Sequence, residues 1–247
     1  MSTHLYCILP PTSLAALPSG LTGIDGAAVR ALDVDDLVAW VSNVEPRPSM
    51  LSGVREHDNV VEAALATGAT PVPARFGQQF ADDDACVAGI ARQAKPVASL
   101  LAAVQGFVEM TLILAPSTKR MVNELVPLLP DMVEDEPGVG RRYLETLRAR
   151  ETATGAVRQA LDALGKRLSE AVDGLVRSVS VQENLAKMPF RAISHLVERE
   201  LVDRYRDAAR AVHPTSDYRF LIVGPRAPYS FSAISSTGGA HGLRLAD

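Results

Sequence analysis

A long run of apolar residues at helical spacing sets the strongest limit on what this chain can fold into. The steps are 4, 3, 4, 4 and 3 between Val157, Leu161, Leu164, Leu168, Val172 and Leu175. This spacing is close to a coiled-coil seam and predicts a helix over residues 141–174. Such a stripe must be covered, and most amphipathic helices are covered by their own domain. We therefore expect one long helix to organise the C-terminal half.

The chain also divides by charge. Residues 1–139 carry 8 basic and 17 acidic side chains, a net charge of −9, whereas residues 140–247 have a net charge of +5. A stretch rich in proline, glycine and acidic residues at 127–140 separates the two parts and is typical of a linker. We predict an N-terminal domain at 1–126, a linker at 127–140, a C-terminal domain at 141–234 and a flexible tail at 235–247.

Strand and helix patterns alternate in both parts, which predicts the α+β class. In the first part the predicted elements are strands at 5–9, 27–32 and 37–41, a helix at 52–67, an edge strand at 71–77, a helix from Asp82 to Gly106 kinked at Pro96, and a strand at 107–114. In the second part they are the long helix, strands at 175–181 and 188–196, a charged helix at 198–212 and a strand at 218–223.

Composition excludes several classes of protein. Apolar residues make up 47% and charged residues 22% of the chain. This content of apolar residues is too high for a wholly disordered polypeptide. The net charge is −4, so we expect no general attraction to nucleic acid or anionic lipid. The cysteines, Cys7 and Cys86, are far apart and suit a reducing compartment. With no apolar run near the roughly 20 residues of a membrane span and no secretory signal, we expect a cytoplasmic location.

Motifs for catalysis, cofactors and metals do not emerge from the sequence. The glycines do not form a phosphate-binding or dinucleotide loop, and the five histidines lack the spacing of a ligand pair. His57 and Asp58 are interpreted as a solvated helix face, and His195 with Glu198 as an ordinary polar contact. The acidic clusters fit helix caps and turns. We predict no catalytic, cofactor-binding or metal-binding residues.

Two segments combine aromatic residues with proline and glycine, and they are the candidate sites. The first contains Val72, Pro73, Arg75, Phe76 and Gly77; the second contains Gly224, Pro225, Pro228, Tyr229 and Phe231. One interpretation is that the aromatic side chains fix the exit of the chain from each sheet. The other is that rigid aromatic loops bind a partner, since they offer contact area at low cost in conformational entropy.

These two segments resemble the GvpF/GvpL family of gas vesicle proteins. The first match is Val72-Pro-Ala-Arg-Phe-Gly77, preceded by Val60-Val-Glu-Ala63. The second runs from Val223 to Phe231 and is similar to the family ending Gly-Pro-Trp-Pro-Pro-Tyr-Ser-Phe. The segments Leu5-Tyr-Cys-Ile8 and Asn184-Leu-Ala186 fit as well. The departures are Arg226 and Ala227 where the family has Trp-Pro, and Gln78 where threonine is common.

The resemblance implies a ferredoxin-like N-terminal domain and a C-terminal domain that joins a coiled-coil-like helix to a small sheet. It further implies a non-enzymatic accessory protein that binds the hydrophobic shell protein GvpA and other accessory proteins during gas vesicle assembly. The edge strand near Val72–Phe76 and the seam Val157–Leu175 are the candidate covers for an apolar shell segment. The alternative is a two-lobed ligand-binding or enzymatic protein in which Arg75, Tyr229, Arg141 and Arg142 line an anionic cleft.

Overall fold

The chain forms two compact units. The computed structural model describes residues 1–11, 17–45, 51–120, 139–184 and 189–232. The first unit comprises Met1–Glu109 with Pro225–Asp247, and the second comprises Met110–Gly224. This division differs from the predicted boundaries at both ends of the second domain. Most of the predicted linker, residues 127–138, and the predicted tail, residues 235–247, lie outside the described residues.

The first unit is built on a sheet with a very apolar central strand. Its elements are β1 (Ser2–Leu9), β2 (Arg30–Val34), β3 (Leu37–Val44), α1 (Leu51–Ala66), β4 (Val72–Pro73), β5 (Gln79–Phe80), α2 (Asp83–Ala91) and α3 (Ala94–Val104). The strand order is β2-β3-β1-β4, and β5 also pairs with β1. All five residues from Leu5 to Leu9 are fully buried, so β1 is covered on both faces.

Helix ends in this unit follow local chemistry. Helix α1 ends at Ala66, and Gly68 takes a φ of +93°, a conformation that glycine adopts without steric cost. Asp82 caps α2, because its Oδ1 accepts a hydrogen bond of 2.8 Å from the backbone N–H of Ala85. Both features match the sequence-based predictions.

The helix predicted to kink at Pro96 is instead interrupted. Helix α2 ends at Ala91 and α3 begins at Ala94, so the break precedes the proline. Proline has no N–H to bond the carbonyl four residues earlier, which is that of Arg92, and its ring crowds that carbonyl. Pro96 is therefore accommodated in the first turn of a new helix.

The second unit is a four-stranded sheet with a long helix. Its elements are β6 (Phe107–Pro116), the short α4 (Thr118–Arg120), α5 (Val139–Ala171), β7 (Val176–Asn184), β8 (Phe190–Glu198), α6 (Val202–Arg210) and β9 (Tyr218–Arg226). The strand order is β7-β8-β6-β9. Strand β6, which the sequence places in the N-terminal domain, is hydrogen-bonded between β8 and β9. The mixed helix and sheet content confirms the α+β class.

The predicted seam on α5 is packed inside the second unit. Val157, Leu161, Leu164, Leu168 and Val172 are each at most 5% exposed. A Cβ atom built on Gly165 would lie 3.0 Å from Cδ1 of Ile193 on β8, so a residue without a side chain lets the helix approach the sheet closely. The seam is a core surface of its own unit.

Candidate functional site

The first candidate segment is a short edge strand followed by a turn. Val72 and Pro73 pair with Ile8 and Cys7 of β1 and are buried. The turn is closed by a 3.0 Å hydrogen bond from the N–H of Gln78 to the carbonyl of Arg75, and Gly77 has a φ of +83°. Arg75 and Gly77 are exposed and Phe76 is half-buried. Only the turn is available to a partner.

A buried pair of histidines lies beneath this turn. Nε2 of His4 is 2.9 Å from Nδ1 of His57, and Nε2 of His57 is 3.2 Å from the carbonyl oxygen of Ala74. Because the carbonyl only accepts, Nε2 of His57 donates to it, and Nδ1 then accepts from His4. The ring of Phe76 lies edge-on to that of His57, with centroids 5.8 Å apart. Both histidines are therefore neutral supports for the turn.

Burial controls the protonation of this pair. Burial and, as the smaller cause, the neighbouring His57 lower the pKa of His4 to about 3. Burial lowers the pKa of His57 to about 4. His57 is 2% exposed, so its assignment to a solvated helix face is wrong. The apolar spacing of the helix residues could not reveal that His4 of β1 packs against His57 and buries it.

The second candidate segment, residues 225–232, packs on the first unit and is called the C-terminal strap. Arg226 donates to the carboxylate of Asp58, and its Nε is 3.7 Å from Oε1 of Glu62. Ala227 is fully buried in the core cluster that contains Trp40. Arg226 and Ala227 are two of the three departures from the family pattern, and here they attach the strap to α1 and the core cluster.

The remaining strap residues add a turn and a second anchor. The N–H and Oγ of Ser230 donate to the two carboxylate oxygens of Glu109 at 2.8 and 2.7 Å, and Glu109 is 7% exposed. Tyr229 packs against the core cluster, and its burial, together with the Asp58 carboxylate, raises its pKa. Pro228 is buried, Pro225 is exposed, and Phe231 is half-buried in a 3₁₀ turn with Tyr229.

Gly224 precedes the strap and belongs to the second unit. Its φ is +115°, which favours glycine, and its carbonyl accepts a 2.8 Å hydrogen bond from Arg206 of α6. In the same unit, Nδ1 of His195 is 2.7 Å from the hydroxyl of Tyr205. Burial lowers the pKa of His195 to about 4, so the ring is neutral where it meets the tyrosine. The contact that we expected for His195 was with Glu198.

Both candidate segments meet on helix α1. His57 supports the first segment, while Asp58 and Glu62 hold the strap. Burial raises the pKa of Glu62, a shift that Arg226 opposes. The arrangement has a structural role, because its charged and aromatic groups hold the two backbone segments against α1. Sequence reasoning found both segments but missed His4, Glu109 and α1 as their common support.

An apolar groove lies elsewhere in the first unit. It has a volume of about 420 Å³ and is lined by Pro10, Asp36, Leu37, Ala69, Ala98, Leu101, Ala102 and Gln105. Six of these eight residues are apolar, and Ala98 and Ala102 of α3 are exposed. The groove can therefore accept an apolar segment without rearrangement of the core.

The described residues contain neither a metal-ligand cluster nor a helix able to span a membrane. Within the described ranges, no group of three or more histidine, cysteine, aspartate or glutamate residues is placed to hold a metal ion. In the part of the chain that the structure describes, every helix is too short or too polar to span a bilayer. The thiols of Cys7 and Cys86 are both fully buried, and burial raises the pKa of Cys86 to about 12.

Comparisons with known proteins agree with one another. The sequence model described as "Gas vesicle synthesis protein GvpL/GvpF" matches residues 2–233. A relative named "Gas vesicle protein F" from a Streptomyces species is 28% identical over 241 residues, covering 94% of this chain and 99% of the relative.

Solved structures give the same result for the fold. The crystal structure of GvpF from an Anabaena species matches with a TM-score of 0.70 and 16% identity, covering 95% of this chain and 99% of that one. GvpF from Microcystis aeruginosa matches with a TM-score of 0.69 and 17% identity, covering 94% and 99%. Since the family model spans nearly the whole sequence, this chain belongs to the GvpL/GvpF family of gas vesicle synthesis proteins.

Proposed function

We propose that this chain is a non-enzymatic accessory protein of gas vesicle formation. It binds the hydrophobic shell protein GvpA and other accessory proteins during assembly, and it associates with the gas vesicle. The observation that carries the proposal is the family match over residues 2–233. The relative from Streptomyces, named as a gas vesicle protein, supports it over a similar length.

The contacts of the two family segments support a structural use of their polar groups. Arg226 is engaged by Asp58 and Glu62, and Ser230 by Glu109. Polar groups that are paired within the fold stabilise one backbone arrangement. The segments that define the family thus hold a scaffold together, and binding of partners falls to surfaces that this scaffold presents.

We assign the shell protein to the apolar groove on α3. An assembling shell subunit must keep apolar surface from water until it joins the wall, because exposed apolar patches aggregate. The seam on α5 is buried, and Val72 and Pro73 are buried as well, so the earlier candidates offer little free apolar surface. The groove is apolar and open, and Ala98 and Ala102 present short side chains to it.

The test is a matched pair of substitutions on one helix. Ala102→Glu puts a carboxylate into the groove, whereas Ala103→Glu puts it on a neighbouring exposed position that does not line the groove. Each purified variant is used to retain GvpA in a pull-down, and each gene is returned to a strain that lacks its own copy. We expect Ala102→Glu to lose GvpA and intracellular gas vesicles, and Ala103→Glu to keep both.

The two readouts separate the parts of the proposal. Equal retention of GvpA by wild type and Ala102→Glu would show that the groove is not the binding surface. The gene is also deleted in a host that has no second member of the family. If that strain still forms normal gas vesicles, the proposed role in gas vesicle formation is wrong. Thermal unfolding of both variants, expected to match wild type because both positions are exposed, confirms that they are folded.

A further inference from the structure

The outer strands of the two sheets differ in how they are protected from pairing. An outer strand with free backbone groups attracts further strands unless charge, proline or short length prevents it. Strand β4 is two residues long and includes Pro73, β2 carries Arg30 and Asp33, and β9 carries Arg219 and Pro225. Strands β7 and β9 both have a central stretch without charge or proline, and β7 is the one whose two exposed valines alternate with serines along the strand.

Strand β7 is long, exposed and without charge in its centre. It spans nine residues, and Ser178–Gln182 contains neither a charged residue nor a proline. Val179 and Val181 are 53% and 51% exposed, although their neighbours on β8, His195 and Ile193, are buried. β-branched residues at alternate positions on an outer strand are suited to packing against another strand.

The sequence of β7 is complementary to itself in the antiparallel direction. Placing Ser180 opposite Ser180 of a second copy sets Val179 against Val181 and Ser178 against Gln182. Residues directly opposite in an antiparallel pair share a face of the sheet. The exposed valines therefore form two contacts on one face, and the hydroxyl and amide groups lie on the other.

Charges are confined to the ends of the strand. Oε2 of Glu183 is 3.5 Å from Arg158, and Oε1 is 3.4 Å from Arg191 within the chain. Arg177 lies at a register shift between Val176 and Ser178, so the self-paired register rests on Ser178–Gln182. The β7–β8 ladder is regular from Ser178 to Asn184, so the strand is straight where the pairing is centred.

We propose that β7 is a dimerisation edge, through which two copies of this chain join antiparallel with Ser180 on the two-fold axis. A two-fold contact uses the same patch on both subunits, and a strand that is complementary to itself meets that requirement. The result is a continuous sheet across two copies. This self-association is a property of the purified chain and does not depend on the shell protein.

The proposed register predicts that two charged variants dimerise weakly when each is alone but dimerise well when they are mixed. Ser180→Lys places two ammonium groups opposite each other, and Ser180→Glu does the same with carboxylates, so each variant alone should dimerise roughly fivefold or more weakly than wild type. An equimolar mixture places lysine against glutamate and should restore dimers to at least the wild-type level. The matched control is Ser178→Lys, whose lysine faces Gln182 and should dimerise nearly as wild type does.

Sedimentation velocity of the full chain, from low micromolar to hundred-micromolar concentration, measures these equilibria. A wild-type chain that is monomeric throughout this range overturns the proposal. So does a mixture that stays monomeric, or a control that dissociates as much as Ser180→Lys. Far-ultraviolet circular dichroism and thermal unfolding show whether each variant is folded.

A cross-link gives a second test that tolerates a weak dimer. Ser180→Cys places two thiols across the axis at the separation of directly opposite residues, so mild oxidation should yield a disulfide-linked dimer. Ser178→Cys, which faces Gln182, should yield far less. Native Cys7 and Cys86 are fully buried and do not compete. Equal cross-linking of the two variants contradicts the register.

Discussion

The buried pair of His4 and His57 should make the first unit sensitive to mild acid. Burial lowers the pKa of these residues to about 3 and about 4, whereas in the unfolded chain both titrate near 6.5. Below pH 6.5 the unfolded chain therefore binds protons that the folded chain excludes. Each histidine then costs up to about 1.4 kcal/mol of unfolding free energy per pH unit as the pH falls.

The size of the effect follows from the two pKa values. Between pH 7 and pH 5 each histidine removes about 2 kcal/mol, and the pair removes about 4 kcal/mol, from the free energy of unfolding. Domains are stable by only about 5–15 kcal/mol, so the loss is a large share of the total. The stabilisation is complete above pH 6.5 and disappears as the pH approaches the folded-state values.

Denaturant unfolding followed by tryptophan fluorescence measures this directly. Trp40 is the single tryptophan of the chain and is fully buried in the core of the first unit, so its emission reports that unit. In His57→Gln the amide can still donate to Ala74 and accept from His4, but it does not titrate. We expect its pH slope to be lower than that of wild type by about 1.4 kcal/mol per pH unit.

Comparison of the two slopes cancels the opposite contribution of Glu62, whose pKa is raised by burial. The control is His213→Gln, because His213 lies in the second unit whereas Trp40 reports the unfolding of the first. A wild-type stability that is flat from pH 7 to pH 5, or equal slopes for wild type and His57→Gln, would refute the reasoning about this pair.

Three further substitutions have predictable effects on unfolding free energy. Gly89→Ala should destabilise by about 1–3 kcal/mol, because the added Cβ would lie 2.6 Å from the ring of Phe80 and the clash exceeds the gain in helix propensity. Gly155→Ala should stabilise by about 0.5–1 kcal/mol, since that exposed helical position has no atom within 4 Å of the added Cβ. Ser230→Ala should destabilise by about 1–3 kcal/mol, because buried Glu109 loses a hydroxyl donor. Chemical denaturation checks all three, and a sign opposite to the one given contradicts the corresponding contact.

Features set by short-range chemistry were predictable from the sequence. The cap at Asp82, the end of α1 before Gly68 and the apolar strand β3 depend on neighbouring residues. The seam on α5 was equally visible, because its period is that of a helix and its cover lies in its own unit. In each case the pattern of neighbouring residues favours one local backbone structure over the others.

Features set by distant partners were not predictable. Strand β6 reads as an ordinary apolar strand, and nothing in its residues says which of two sheets it joins. His4 and His57 lie far apart in the sequence and meet only because β1 and α1 pack together. The position of the strap shows the same limit, since Ser230 and Glu109 are paired although 121 residues separate them in the sequence.

The strap also bears on how the protein is made. During synthesis the segment up to Glu109 leaves the ribosome long before Ala227, Tyr229 and Ser230 are translated, and domains tend to fold as they emerge. Until then the nascent first unit lacks Ala227 in its core cluster and the two hydrogen bonds that Ser230 donates to Glu109. The first unit can therefore be completed only after the whole second unit has been translated, because its last segment follows Gly224 in the sequence.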